Sequence, residues 1–189
     1  MTKTEIRRAA KVRILNGKTK QETFDELKEH YDSAENLAKI IQGIPSLKAR
    51  EQTKTWNIVL IILLSLTVLF KLITGISLIA ELGTSWLPLL LIMPLINVIL
   101  LIGVITYSAG IHKAVAIFTI IGLLNSLKHL SNASGDPLSN LINIVIAAGL
   151  IALGFYLNSV LSSEYRVGKE SYHNEQGKLE FRDVITFED

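Results

Sequence analysis

The chain has 189 residues, no cysteine and a formal net charge of +2, and only 19% of it is charged. A soluble domain carries about 25% charged residues. The missing thiols exclude disulfides, thiolate nucleophiles and Cys-ligated zinc or iron–sulfur centres. The small net charge does not point to nucleic acid.

The charges are segregated. Residues 1–54 hold twelve Lys/Arg and eight Asp/Glu, whereas residues 164–189 hold four and seven. The 109 residues from 55 to 163 contain only three Lys, one Glu and one Asp. With a mean hydropathy of +0.39, that distribution describes a membrane block with two wet ends. The expected class is an all-α integral membrane protein. It combines a basic helical module over residues 1–45, a four-helix membrane domain over 46–163 and an acidic tail over 164–189.

In chain order, Asn16-Gly17 ends a first helix through a left-handed C-cap. Thr19-Lys20-Gln21-Glu22 fits a capping box, in which the cap and third residue satisfy each other's backbone donors. The helix that follows carries Phe24, Leu27 and Tyr31. Ser33 caps a third helix with apolar Leu37, Ala38, Ile40 and Ile41, which Gly43 and Pro45 stop. Ser46 caps a helix that runs on into the first apolar run.

A bilayer core of about 30 Å needs roughly 20 mostly apolar helical residues. Residues 56–80, 86–107, 111–127 and 138–161 supply four such runs. Pro94 is expected to kink the second by removing a backbone bond to Leu90. Asp136-Pro137 reads as an N-cap with proline at the first helical position of the fourth. The first run begins only near Trp56, so it is expected to act as its own uncleaved signal. Lys and Arg are concentrated in the N-terminal segment, which places both termini in the cytoplasm. A bacterial inner membrane is the simplest host. In the tail, Leu179, Phe181, Ile185 and Phe187 fall on odd positions on one side of a turn, the period of a β-hairpin strand. Docking of this acidic hairpin on the basic N-terminal helices is the economical arrangement.

The stretch Ile14-Leu15-Asn16-Gly17-Lys18-Thr19, leading to Glu22, Leu27 and Ser33, resembles a helix-turn-helix over about 30 residues. That resemblance implies a recognition helix at Ala34–Ile41. This helix offers Asn36 and Lys39 beside Glu35, too little base-reading chemistry, and no nucleic-acid partner is expected.

Two sets of residues stand out as candidate contacts. Arg7, Arg8, Lys11 and Arg13 belong to a stretch of residues 1–20 with seven basic residues against one acidic residue. Such a stretch suits anionic headgroups or an acidic partner, and equally a solvated face that only enforces topology. Within the membrane block, Lys71, Asn97, Asn143 and Asn158 are polar groups in apolar helices, where they act as interhelical glue or as a functional path. Lys71 is also within reach of the far headgroups by snorkelling. His112 and Lys113 stand at the inner interface, where contact with lipid phosphates and plain interfacial anchoring account for them equally well. No metal-ligand spacing, catalytic constellation or phosphate loop is present, so neither enzyme activity nor a cofactor is expected. The pattern favours an accessory or scaffold protein whose wet ends bind partners or the membrane surface. The alternative is a small homo-oligomeric transporter or channel using the asparagine faces.

Overall fold

The computed structural model describes residues 2–31, 33–83, 88, 92, 94–108, 110–130, 137–162, 165–173 and 179–187. The chain is mostly helical, with one two-stranded sheet. The helices are α1 (Lys3–Leu15), α2 (Lys20–Leu27), α3 (Ala34–Gln42), α4 (Leu47–Leu82), α5 (Leu95–Ile105), α6 (Ile111–Leu130) and α7 (Pro137–Leu161). The strands β1 (Tyr165–His173) and β2 (Leu179–Phe187) follow. Two compact units result: residues 1–52 together with 160–189, and residues 53–159.

The first unit begins with caps. Thr2 and Glu5 satisfy each other's backbone donors, and Thr19 and Glu22 repeat the pattern at α2. Gly17, at φ +94°, ends α1 in the left-handed conformation that only glycine adopts without strain. Ser33 accepts from Asn36 N–H, and Ser46 accepts from Ala49 N–H ahead of α4. Each cap falls where the sequence pattern places it, apart from the Thr2 cap, which that reading did not include.

The caps fix three short helices so that one side of each turns inward. Ile6, Ala10 and Ile14 of α1 meet Phe24 and Leu27 of α2 and Leu37, Ala38, Ile40 and Ile41 of α3. This core recruits the other end of the chain. Strands β1 and β2 pair antiparallel from Tyr165↔Phe187 to His173↔Leu179, and Ile185 is buried in the helical core. The Phe24 and Phe187 rings lie 5.8 Å apart. The Gln21 side chain holds the outer edge of β2 twice: its Nε2–H donates to Ile185 O at 3.4 Å, and its Oε1 accepts from Phe187 N–H at 3.1 Å. Edge groups that would otherwise invite another strand are thereby satisfied. The turn between the strands lies outside the described residues.

The second unit is built from α4 beyond Thr53, α5, α6 and most of α7. Two helical stretches are long and apolar enough to cross a membrane, the one ending at Glu81 and Asn140–Leu161. Leu95–Ile105 and Ile111–Ser126 are shorter apolar helices. Ile92 is helical, and Pro94, with φ and ψ in the helical region, is the N-cap of α5. Its expected partner Leu90, with most of residues 84–93 and the loop at 131–136, lies outside the described residues. Pro137 does open α7. The α5–α6 connection turns through Tyr107 at φ +51° and Gly110 at φ +70°.

Gly154 sets the approach of α7 to α6. A Cβ there would stand 2.8 Å from His112 O and 3.1 Å from Ala116 N and Cβ. The obstacle is backbone, so it cannot swing aside. Gly154→Ala is expected to push the helices apart at a cost of about 1–3 kcal/mol, seen as a lower thermal midpoint of the detergent-solubilised chain. An unchanged midpoint would show that the helices do not meet this closely.

Candidate functional site

The first candidate surface is α1. With Ile6, Ala10 and Ile14 turned inward, helical periodicity leaves Arg7, Arg8 and Lys11 exposed. None of these three makes an ion pair among the described residues. Arg13 differs from them, because its Nε lies 3.0 Å from Glu26 Oε2, while Lys18 binds the other carboxylate oxygen. Lys20 also leaves the basic surface. Its side chain is buried, and its Nζ donates to Gln42 O at the end of α3, where a helix terminus favours a cation. Lys39, on the helix that the helix-turn-helix resemblance would make the reader, is paired with Glu35 at 2.6 Å.

These pairs shift the carboxylates in one direction. Hydrogen bonds from Lys18 and then Arg13 hold Glu26 below the usual carboxylate range. Backbone and side-chain bonds to Thr2 do the same for Glu5, and Lys39 does so for Glu35. Burial opposes the shift at Asp25, but bonds from Lys28 and Gln21 prevail.

The second candidate site lies in the unit of residues 53–159. Asn57 and His112 are buried at 2% and 4% exposure. The Asn57 amide donates to Val104 O at 3.4 Å, which leaves its Oδ1 to accept from His112 Nε2–H at 2.9 Å. One polar pair thus joins α4, α5 and α6. This corrects the expectation that His112 contacts lipid phosphates or anchors at the interface: its ring is occupied inside the unit, and only Lys113 of that pair is exposed. Sequence reading passed over Asn57. The available signal was an amide one residue inside an apolar run, which must find a partner if buried.

Further along α4, Lys71 Nζ donates to Asn97 Oδ1 of α5 at 2.7 Å. Both residues line a cavity of about 730 Å³ between α4, α5, α6 and α7, together with Asn143, Asn140, Thr119 and Ser126. The structure therefore brings together three of the four polar residues singled out in the apolar helices. Asn158 does not line this cavity. Among the described residues no cluster of His, Asp or Glu has the makings of a metal site.

Comparison with protein-family models, with curated proteins and with solved structures finds no match.

The carboxylate shifts carry a pH dependence. A carboxyl lowered on folding adds stability above its unfolded pKa of about 4.3, and that contribution is lost as pH falls through the folded value. Amide exchange in α1 and α2 of the full chain is expected to accelerate as pH falls below that range, after correction for intrinsic exchange. Glu26→Gln should flatten the response. An unchanged acid response in this variant would remove Glu26 from the account.

Proposed function

We propose that the chain is a multi-pass integral membrane protein of non-enzymatic kind, an accessory or scaffold subunit that holds a protein partner at the cytoplasmic surface. The observation that carries this reading is a sheet face only half covered by its own chain. Tyr165, Ile185 and Phe187 pack at the helical core. Val167, Leu179 and Phe181 share their face through the pairing register, yet stand 56%, 51% and 66% exposed. The same face carries Lys169, Ser171, His173 and Asp183, so its bare half suits a partner surface that offers both apolar and polar contacts.

The membrane assignment draws support from where the apolar side chains point. Only 17% and 22% of the apolar windows in the two longest helices are buried, whereas a soluble core helix hides its apolar residues. Ile62, Ile76, Ile99 and Val145 are each more than half exposed. Because residues 1–52 and 160–189 form one unit, the segment between them crosses an even number of times. Four crossings follow if residues 86–94 extend α5, which alone spans about 16 Å. The twelve basic residues before the first crossing favour a cytoplasmic end unit. There Arg7, Arg8 and Lys11 are the residues available to anionic headgroups.

A homo-oligomeric transporter or channel is the second reading, favoured by the cavity that Asn97 and Asn143 line. The mass of the complex extracted from its native membrane in mild detergent separates the two. The accessory reading expects a foreign protein in fixed ratio that is lost in Phe181→Ser while the hairpin stays folded. A homogeneous homo-oligomer, with flux abolished by Asn97→Leu and Asn143→Leu, would replace it by the transporter reading.

A further inference from the structure

The cavity around Lys71 has a charge it does not balance. Among the described residues of 53–159 the only carboxylate is Glu81. It lies ten residues further along the same helix, about 15 Å away. An ammonium has three donors and no acceptor, and among the described residues Lys71 spends one of them, on Asn97.

Among the described residues no hydroxyl of the lining accepts a hydrogen bond from it. The hydroxyls of Thr67, Thr74, Thr119 and Ser126 donate to carbonyls of their own helices, those of Leu63, Phe70, Val115 and Gly122. What remains toward the cavity is the rest of the ammonium and the amide groups of Asn97, Asn140 and Asn143. Much of the remaining wall is apolar, with Phe70, Ile96, Phe118, Ile144 and Leu150 among its residues. A lone cation in such surroundings is costly until an anion meets it.

We propose that this cavity binds a single-chain amphiphile with one negative charge, a long-chain carboxylate, whose head meets Lys71 and Asn143 and whose chain lies along the apolar walls. Among the described residues Lys71 is the only cation in the lining, so a multiply charged head would remain uncompensated. A neutral amphiphile would leave the ammonium unpaired. The volume of about 730 Å³ falls in the range of roughly 300–1,000 Å³ typical of small-ligand sites, which suits one chain rather than two. The inference rests on the membrane reading of the apolar helices and is independent of partner binding.

The test uses the full chain in nanodiscs of zwitterionic lipid, titrated with hexadecanoate and followed by native mass spectrometry. One hexadecanoate per chain is expected, with affinity at least tenfold weaker in Lys71→Met and severalfold weaker in Asn143→Leu. Lys71→Arg should retain binding, and hexadecanol should not compete. Thermal midpoints of the variants show whether the bundle is intact. Equal binding by hexadecanol, or by an intact Lys71→Met variant, would overturn the proposal. So would displacement of hexadecanoate by a two-chain anionic phospholipid at equal or lower concentration. Failure of the chain to float with the discs would instead overturn the membrane reading, and with it the site.

Discussion

The hold of Gln21 and Phe24 on the last strand is the constraint on which the rest of the structure depends. An isolated two-stranded hairpin is marginal in water, and a three-helix cluster of this length buries only a small core. Each lends the other what it lacks. Ile185 and Phe187 complete the apolar cluster of α1, α2 and α3, and the Gln21 amide closes the edge of β2. Two segments separated by more than one hundred residues thereby become one folding unit. On the proposed membrane reading, whatever lies between returns to the side from which it left. The proposed even number of crossings follows from that packing, independently of any count of basic residues.

The same economy of polar groups governs the apolar helices. Thr67, Thr74, Thr119 and Ser126 satisfy their hydroxyls against the turn before them, so they cost little and report little. Asn57 and His112 satisfy each other across helices and tie three of them together. Lys71 brings to the cavity a charge that no described carboxylate in the lining answers, which is why the proposed ligand site centres on it. Gly154 belongs to the same design, because its missing side chain allows α7 to lie against the backbone of α6.

Local signals were legible in the sequence where they are chemically specific. The capping box at Thr19, the stop at Gly17, the cap at Ser33 and the odd-numbered apolar positions of β2 depend on neighbours within four residues or on a period of two. Less was legible where a partner is distant. Arg13 and Lys20 read as surface charges, yet Glu26 and the end of α3 take them up. His112 read as interfacial because Asn57 is 55 positions away. Spacing shows which residues share a helix face, but not which helix that face will meet.

The natural absence of cysteine makes the central claim directly measurable. Single cysteines introduced as Lys11→Cys and Lys169→Cys, both at exposed positions, report which side of the membrane each end occupies. The measurement is their reaction with a membrane-impermeant maleimide before and after the cells are permeabilised. The account predicts the same response at both positions, with neither labelled in intact cells and both labelled after permeabilisation. Labelling of one position from outside while the other stays protected would place the ends on opposite sides and contradict the shared unit.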